Sequence, residues 1–307
     1  MQVLKSKTAI RKNFKKNRIL YVFLLPMIVY IIIFNYMPMA GLQIAFKDFV
    51  ATKGIWGSEW VGFKYFTQFF TSPMFGKLLK NTLVISLYQL VFSFPIPIIL
   101  ALILNYTPNQ RLKKITQTAT YAPHFISTVV LVGMLFVFFD PVAGIGTTML
   151  KALGMQNPQV LTEPSAFPHL YVWSAIWQST GWSSIIYIAA LSGVGPELHE
   201  AAIADGASKL QRILYIDIPM LIPTAIILLI LNCGNIMNLG FEKVFLMQTA
   251  PNLSTSEIIS TYVYKIGLQG QQYSYASAIG LFNNVINFSI LVFVNWIAGK
   301  TTENSLW

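Results

Sequence analysis

Six long stretches of this sequence contain no Asp, Glu, Lys or Arg, and they limit the possible fold more than any other feature. They are 24 to 34 residues long and cover residues 19–46, 81–110, 115–139, 164–196, 218–241 and 266–299. A helix needs roughly 20 apolar residues to cross the hydrocarbon core of a bilayer. Because backbone groups in lipid must find hydrogen-bond partners within the protein, each stretch is expected to contain a helix. The pattern predicts an all-α membrane protein.

We predict six transmembrane helices in one membrane domain, residues 19–299. The predicted spans lie near residues 19–45, 82–105, 117–139, 168–192, 219–239 and 275–298. The composition agrees, because only 10% of the residues are charged, whereas a soluble domain typically has about 25%. The mean hydropathy is +0.59. The single cysteine, Cys233, excludes a disulfide or a cysteine metal cluster within the chain.

Basic residues predict the orientation of the spans. Seven Lys and Arg residues lie within residues 1–18, and such a cluster favours the cytoplasmic side. With six spans, the tail at residues 300–307 is then cytoplasmic as well. The outer loop 47–80 weakens the rule because it contains five lysines. Its second half, from Trp60 onward, fits either a helix lying in the membrane interface or a loop with an aromatic belt.

A charged segment at residues 193–218 separates the fourth and fifth predicted spans on the cytoplasmic side. Pro196 suits the first position of a helix and Gly206 suits its end. Ser208 and Gln211 have the spacing of a capping box, which predicts a second helix. The segment therefore predicts a helix-turn-helix at the membrane surface.

The first of these two helices has little side-chain bulk because residues 201, 202 and 204 are alanine. A smooth helix can enter a groove on a partner protein, and Glu200 and Asp205 could pair with charges there. The same residues also fit an ordinary connector with standard caps, so local physics leaves both interpretations open.

The spacing of residues in this loop resembles the EAA loop of ABC importer permeases. Glu200-Ala201-Ala202, Gly206 and the run Ile216 to Pro219 match the family pattern, although Ile218 stands where the family usually has leucine. The resemblance extends along the chain, for example to Asn35-Tyr36-Met37-Pro38 and to the tail Thr302 to Trp307. It is most similar to the carbohydrate-uptake branch, which includes the maltose-type and complex-oligosaccharide permeases.

The resemblance implies a type I ABC importer permease fold with a cytoplasmic coupling helix between helices 4 and 5, in the loop 196–223. The residues that would couple to the ATPase are Glu200, Ala201, Ala202, Asp205, Gly206, Ala207 and Ser208. It also implies a transport subunit rather than an enzyme, with no cofactor of its own. ATP and Mg would bind to a separate cytoplasmic ATPase, present in two copies.

The family further implies a second homologous permease, as a heterodimer, and an extracellular lipid-anchored solute-binding protein. That protein would deliver an oligosaccharide or polysaccharide fragment, which crosses by alternating access. The expected location is the plasma membrane of a bacterium, most simply a Gram-positive one. The basic N-terminus is interpreted as a topology anchor beside anionic lipid, and nucleic acid is not expected as a partner.

Neutral polar and aromatic side chains within the predicted spans are candidates for sugar contacts, because amides bond to hydroxyl groups and flat rings stack on sugar faces. In the fifth span we expect Asn232, Asn235 and Asn238 to share one side of a helix, since they recur every three residues. The other candidates are Gln89, Trp173, Trp177, Gln178, Tyr187, Asn283, Asn284 and Asn287. The alternative is that the amides join helices and the tryptophans anchor them at the interface.

Catalytic patterns are missing from the sequence. A phosphate-binding loop would need glycine at position 294, five residues before Gly299-Lys300-Thr301, but that residue is valine. The predicted spans carry no ionisable residue at depth, which argues against proton coupling. A self-sufficient channel or carrier, and a permease of the same fold for peptides or other polar solutes, remain the alternatives.

Overall fold

The computed structural model describes residues 16–156, 158–302 and 305–307, and most of them are helical. Most of the predicted N-terminal basic segment therefore lies outside the described residues. In chain order the helices are α1 (Arg18–Phe46), α2 (Gly54–Gly57), α3 (Lys64–Thr71), α4 (Pro73–Asn105), α5 (Gln110–Phe125), α6 (Thr128–Phe138), α7 (Ile145–Ala152), α8 (Ala166–Leu191), α9 (Pro196–Ala204), α10 (Lys209–Gly234), α11 (Phe241–Met247), α12 (Leu253–Ser256), α13 (Ile259–Tyr264, continued by the π-helical turn Lys265–Gln269) and α14 (Tyr273–Thr301).

Within the described residues, four helices are long and apolar enough to cross a membrane: α1, α4, α10 and α14. They correspond to the first, second, fifth and sixth predicted spans. Helix α4 begins at Pro73, well before the predicted residue 82, and α10 begins at Lys209 instead of residue 219. Helices continue into the flanking polar residues because hydropathy marks where a span meets lipid, not where a helix ends.

The third predicted span, at residues 117–139, is not one continuous helix. It is divided between α5 and α6, whose axes differ by 102°. Pro123 lies at the bend, in a short 3₁₀ turn, and cannot donate a backbone hydrogen bond. Ser127 then begins α6 by accepting a hydrogen bond from the N–H of Val130, at 3.4 Å. The pair α5 and α6 is long and apolar enough for a fifth crossing only if it is counted as a single broken span.

Helix α8 corresponds to the fourth predicted span but is less apolar than the other four long helices. Its 26 residues make it roughly 39 Å long at 1.5 Å per residue. It carries many serine, tryptophan and tyrosine side chains, so it lacks the hydropathy of the helices identified above. Three sets of buried residues lie along the chain, and α8 supplies members of two of them, among them Phe167, Tyr171 and Tyr187. A helix surrounded by protein needs fewer apolar residues than one surrounded by lipid.

The bend between α5 and α6 is held against α8. The side-chain amide of Gln178 donates to the carbonyl of Ile126 at 2.8 Å, which satisfies a backbone group that the bend leaves free. A Cβ added at Gly181 would lie only 2.1 Å from the carbonyl oxygen of Thr120. The ring of His124 stacks on Trp182, with the ring centroids 4.5 Å apart. Gln178 therefore has a structural role here, and its contact with sugar stays a prediction.

The loop between α1 and α4 departs from the all-α prediction by a small hairpin. Strand β1 (Lys47–Asp48) pairs antiparallel with β2 (Glu59–Trp60). The hydroxyl of Tyr65 in α3 donates to the carboxylate of Asp48 at 2.6 Å. Further along α3, the buried ring of Phe69 contacts Phe282 of α14, with centroids 5.6 Å apart. This part of the loop therefore packs on the protein itself.

Candidate coupling loop and substrate groove

The loop between α8 and α10 has the helix-turn-helix shape that its sequence predicts. Helix α9 has Pro196 in its first turn and ends before Asp205. Gly206 adopts a φ of +79°, a conformation that side chains with a Cβ rarely take. Ser208 and Gln211 form both hydrogen bonds of the capping box, so α10 starts immediately after the turn. Each step follows from local backbone chemistry.

The surface of this loop is available for contact with another protein. None of the residues of α9 is buried. Glu200 and Asp205 are exposed, and large apolar side chains beside them are exposed as well, including Leu198 (49%), Ile203 (55%) and Leu210 (64%). Apolar side chains with polar groups at their rim are an arrangement that suits protein docking. Of the predicted coupling residues, Ala201 and Ser208 are also exposed, and Ala202 and Ala207 are half-buried.

A cluster of polar side chains joins the loop to the helices beside it. The carboxylate of Asp217, in a π-helical turn of α10, is fully buried. It accepts a hydrogen bond of 2.6 Å from the hydroxyl of Tyr106, just after α4. His199 of α9 places Nε2 at 3.4 Å from the other carboxylate oxygen. Burial, together with the hydrogen bond to Asp217, raises the pKa of Tyr106 to about 12, so its hydroxyl stays protonated and keeps donating.

A groove with neutral polar walls lies between α4, α8 and α10. It consists of two cavities of about 530 and 760 Å³ that share Gln89, Ser93 and Asn232. The first cavity also includes Asn235 and Asn238, and the second includes Tyr187. Five of the predicted sugar contacts therefore line one space. Among the residues that the structure describes, no Asp, Glu, Lys or Arg lines either cavity.

The three asparagines reach this groove by a route that the sequence pattern did not predict. Helix α10 ends at Gly234, so the expectation that they share one helical face through residue 239 is wrong. Asn232 lies in the last turn, Asn235 caps the helix end, and Asn238 lies in the non-helical segment that follows. Glycine and asparagine are both poor helix formers, which favours a stop at this place.

Side chains from α8 and α14 hold the non-helical segment in place. Asn287 accepts a hydrogen bond from the N–H of Met237 at 2.9 Å, and Tyr171 accepts one from the N–H of Gly240 at 3.1 Å. Asn283 donates to the side chain of Asn238 at 2.8 Å. Backbone that is not helical at membrane depth is tolerated where the protein satisfies its polar groups. Asn283 and Asn287 are buried and support this segment, and their contact with substrate stays a prediction.

The remaining predicted contacts lie elsewhere. The indole N–H of Trp173 donates to the hydroxyl of Tyr88 at 2.8 Å, outside the groove. Trp177 lines a separate and mostly apolar cavity of about 770 Å³ together with residues of α4 and α5. Asn284 is exposed on α14 and is not part of the groove lining.

Several hydroxyl groups in the groove were missed by the sequence analysis. They are Ser86 and Ser93 of α4 and Ser179 and Ser183 of α8. Ser179 and Ser183 are four residues apart, as are Gln89 and Ser93, and this spacing places each pair on one helix face. That spacing is a signal that could have identified them. Within the described part of the chain, no cluster of His, Cys, Asp and Glu could hold a metal ion.

The chain is similar to known transport proteins along most of its length. Residues 93–303 match the model of the family described as binding-protein-dependent transport system inner membrane component. Protein LplB of Bacillus subtilis is 42% identical, covering 95% of this chain and 92% of its own length. The polygalacturonan/rhamnogalacturonan transport system permease protein YteP of the same organism is 40% identical, covering 95% and 91%.

Two solved structures have the same fold. One is a chain of a bacterial ABC transporter involved in the import of the acidic polysaccharide alginate, with 39% identity and a TM-score of 0.88, covering 95% of this chain and 99% of its own. The other is a chain of a bacterial alginate ABC transporter in complex with an alginate pentasaccharide-bound periplasmic protein, with 38% identity, a TM-score of 0.89 and coverage of 96% and 99%. The chain belongs to the family of binding-protein-dependent transport system inner membrane components, and it is a permease subunit of an ABC importer.

Proposed function

We propose that this permease carries an oligosaccharide or polysaccharide fragment through the groove between α4, α8 and α10, by alternating access. The observation that carries the proposal is the lining of that groove, where amides and hydroxyls are supplied by three helices and no charged side chain takes part. Such groups can exchange hydrogen bonds with many sugar hydroxyls without holding the ligand too tightly to leave. The names of YteP and of the alginate transporters support a carbohydrate substrate.

In this proposal the chain crosses the membrane six times. Helices α5 and α6 together form the third span, which is broken, and α8 forms the fourth span. Residues 1–18 and the tail at residues 300–307 are cytoplasmic, and residues 19–299 form the transmembrane domain. The similarity to two Bacillus subtilis proteins supports a Gram-positive plasma membrane.

The energy would enter through α9, which we propose as the coupling helix within the loop 196–223. Glu200, Asp205 and the neighbouring apolar side chains would dock on a separate ATPase, present in two copies, which binds ATP and Mg. An extracellular lipid-anchored solute-binding protein would deliver the sugar on the other side.

A second, homologous permease would complete the pathway, most simply as a heterodimer. In support, residues 18–39 of α1 include no buried residue within this chain. If the substrate is acidic like alginate, its countercharge would come from the second permease or the binding protein, because this groove lining is uncharged.

The proposal is tested by uptake in proteoliposomes that contain the whole complex purified from its native membrane. The probes are oligosaccharides of matched length, one set of neutral sugars and one of uronates. We expect Asn235→Ala to reduce uptake several-fold, with Asn284→Ala, an exposed asparagine outside the groove, as the matched control. Trp177→Ala tests whether this residue, which the sequence predicts as a sugar contact, lies on the pathway.

Equal uptake by wild type and Asn235→Ala would remove the groove assignment. A chain that purifies alone and transports without ATP would leave a channel or carrier instead of an importer subunit. If only peptides or other polar solutes were transported, the fold and coupling would stand and the substrate class would be wrong.

A further inference from the structure

The buried carboxylate of Asp217 needs an explanation because burying such a group in a membrane protein is costly unless it is paired. Its side chain is completely inaccessible. One oxygen accepts the 2.6 Å hydrogen bond from Tyr106, and the other lies 3.4 Å from Nε2 of His199. That second oxygen accepts no hydrogen bond among the described residues, so its nearest polar partner is the ring of His199, which carries a charge only when protonated.

These three residues come from three separate elements. Tyr106 follows the inner end of α4, His199 lies in the middle of α9, and Asp217 lies in the first turns of α10. The rings of Tyr106 and His199 also meet nearly at right angles, with centroids 6.3 Å apart. The guanidinium of Arg212 lies 5.5 Å from the ring of Tyr106. The cluster therefore connects the exposed helix with two of the helices that form the groove.

Helix α9 has few other connections. Within the described residues, the contact between His199 and Asp217 is the only ion pair or side-chain hydrogen bond that joins α9 to another helix. None of the residues of α9 is buried. A displacement of α9 can therefore reach α4 and α10 by two routes, the backbone of the loop and this cluster.

We propose that His199, Asp217 and Tyr106 form a latch that makes α9 move together with the inner ends of α4 and α10. His199 is then a positioning residue for coupling, and it acts through Asp217 instead of touching substrate or nucleotide. The latch rests on the proposed function, because it matters only if α9 receives the movement of an ATPase. If the latch is broken, we expect the complex to assemble normally but to hydrolyse more ATP for each sugar that it transports.

The test compares ATP hydrolysed per sugar transported in proteoliposomes of the whole complex. We expect His199→Ala and Tyr106→Phe each to raise this ratio at least threefold while basal ATPase activity and complex assembly remain unchanged. The matched control is Tyr215→Phe, which removes the hydroxyl of a tyrosine that is 76% exposed in the same loop. His199→Gln should restore part of the coupling, because its amide nitrogen can donate to Asp217.

The double variant His199→Ala with Tyr106→Phe distinguishes one latch from two separate effects. If both residues act through Asp217, the double variant should have about the same ratio as the more severe single variant. A ratio equal to the product of the two single effects would overturn the latch, as would a His199→Ala complex that transports with the wild-type ratio.

Gly206→Val separates this inference from the proposed function. If Gly206→Val uncouples transport and His199→Ala does not, α9 is a coupling helix and only the latch is wrong. If neither substitution changes the ratio, α9 does not couple, and the proposed coupling helix and the latch are both wrong.

Discussion

The loop around α9 and the segment after α10 both contain polar residues but are determined in different ways. In the loop, Pro196 starts α9, Gly206 adopts the positive φ of the turn, and Ser208 and Gln211 cap the start of α10, all through interactions within a few residues. In the segment after Gly234, the backbone groups are satisfied by Tyr171 and Asn287, which are far away in sequence. A loop in water can be specified locally, whereas an irregular segment inside a membrane protein depends on its neighbours.

The largest expected effect is that of Gly206→Val, which tests whether local backbone geometry determines the loop around α9. A β-branched residue is strained at a φ of +79°, so the turn between α9 and α10 must rearrange. We expect uptake to fall at least tenfold while the complex still hydrolyses ATP, measured in proteoliposomes. Gly41→Ala is the control, because a Cβ there meets nothing within 4 Å and φ is ordinary. Normal uptake by Gly206→Val would show that the turn geometry is dispensable.

Asn287→Leu tests whether the segment after α10 depends on contacts with distant residues. It removes the acceptor for the N–H of Met237 in a buried place, and such a loss costs about 1–3 kcal/mol. We expect a lower unfolding temperature of the purified permease together with reduced uptake. The comparison variant is Asn284→Leu on the exposed face of α14. Equal unfolding temperatures for the two variants would mean that Asn287 does not support the segment.

Gly181→Ala probes how closely the broken span packs on α8. The added Cβ would lie 2.1 Å from the carbonyl oxygen of Thr120, a backbone atom that cannot move alone. Overpacking of this kind costs about 1–3 kcal/mol. We expect a lower unfolding temperature of the purified permease, whereas Gly133→Ala, in α6 with nothing within 4 Å, should leave it unchanged.

The smallest effect is expected at Asp48 in the outer hairpin. The hydrogen bond from Tyr65 lowers the pKa of Asp48, and nearby Lys64 lowers it further. A lowered carboxyl pKa stabilises the fold above the ordinary value of 3.8, and this contribution is lost as the pH falls through the lowered value. The difference in unfolding temperature between wild type and Asp48→Asn should therefore be small and constant from pH 5 to pH 8. A difference that changes within this range would contradict the assignment.

The sequence predicted the helical membrane architecture because charge exclusion over more than 20 residues has few physical explanations. It did not predict the bend between α5 and α6, since Pro123 can kink a helix or break it, and the contact of Gln178 with Ile126 favours the break. Among the proposed sugar contacts, periodicity identified Asn232 and Asn235, which line the groove. It could not separate them from Asn287, which bonds the backbone of Met237, and Asn283, which bonds the side chain of Asn238.

The sequence by itself determined which segments are apolar enough for a membrane and how the loop around α9 begins, turns and restarts. The apolar segments and the loop around α9 both depend on interactions between residues that are close together in the sequence. Only the tertiary structure decided how the segment after α10 is held, which amides face the groove and which face a neighbouring helix, and that Asp217 is buried between Tyr106 and His199. These outcomes depend on hydrogen bonds between distant residues, whose free energy exists only when the helices are packed together.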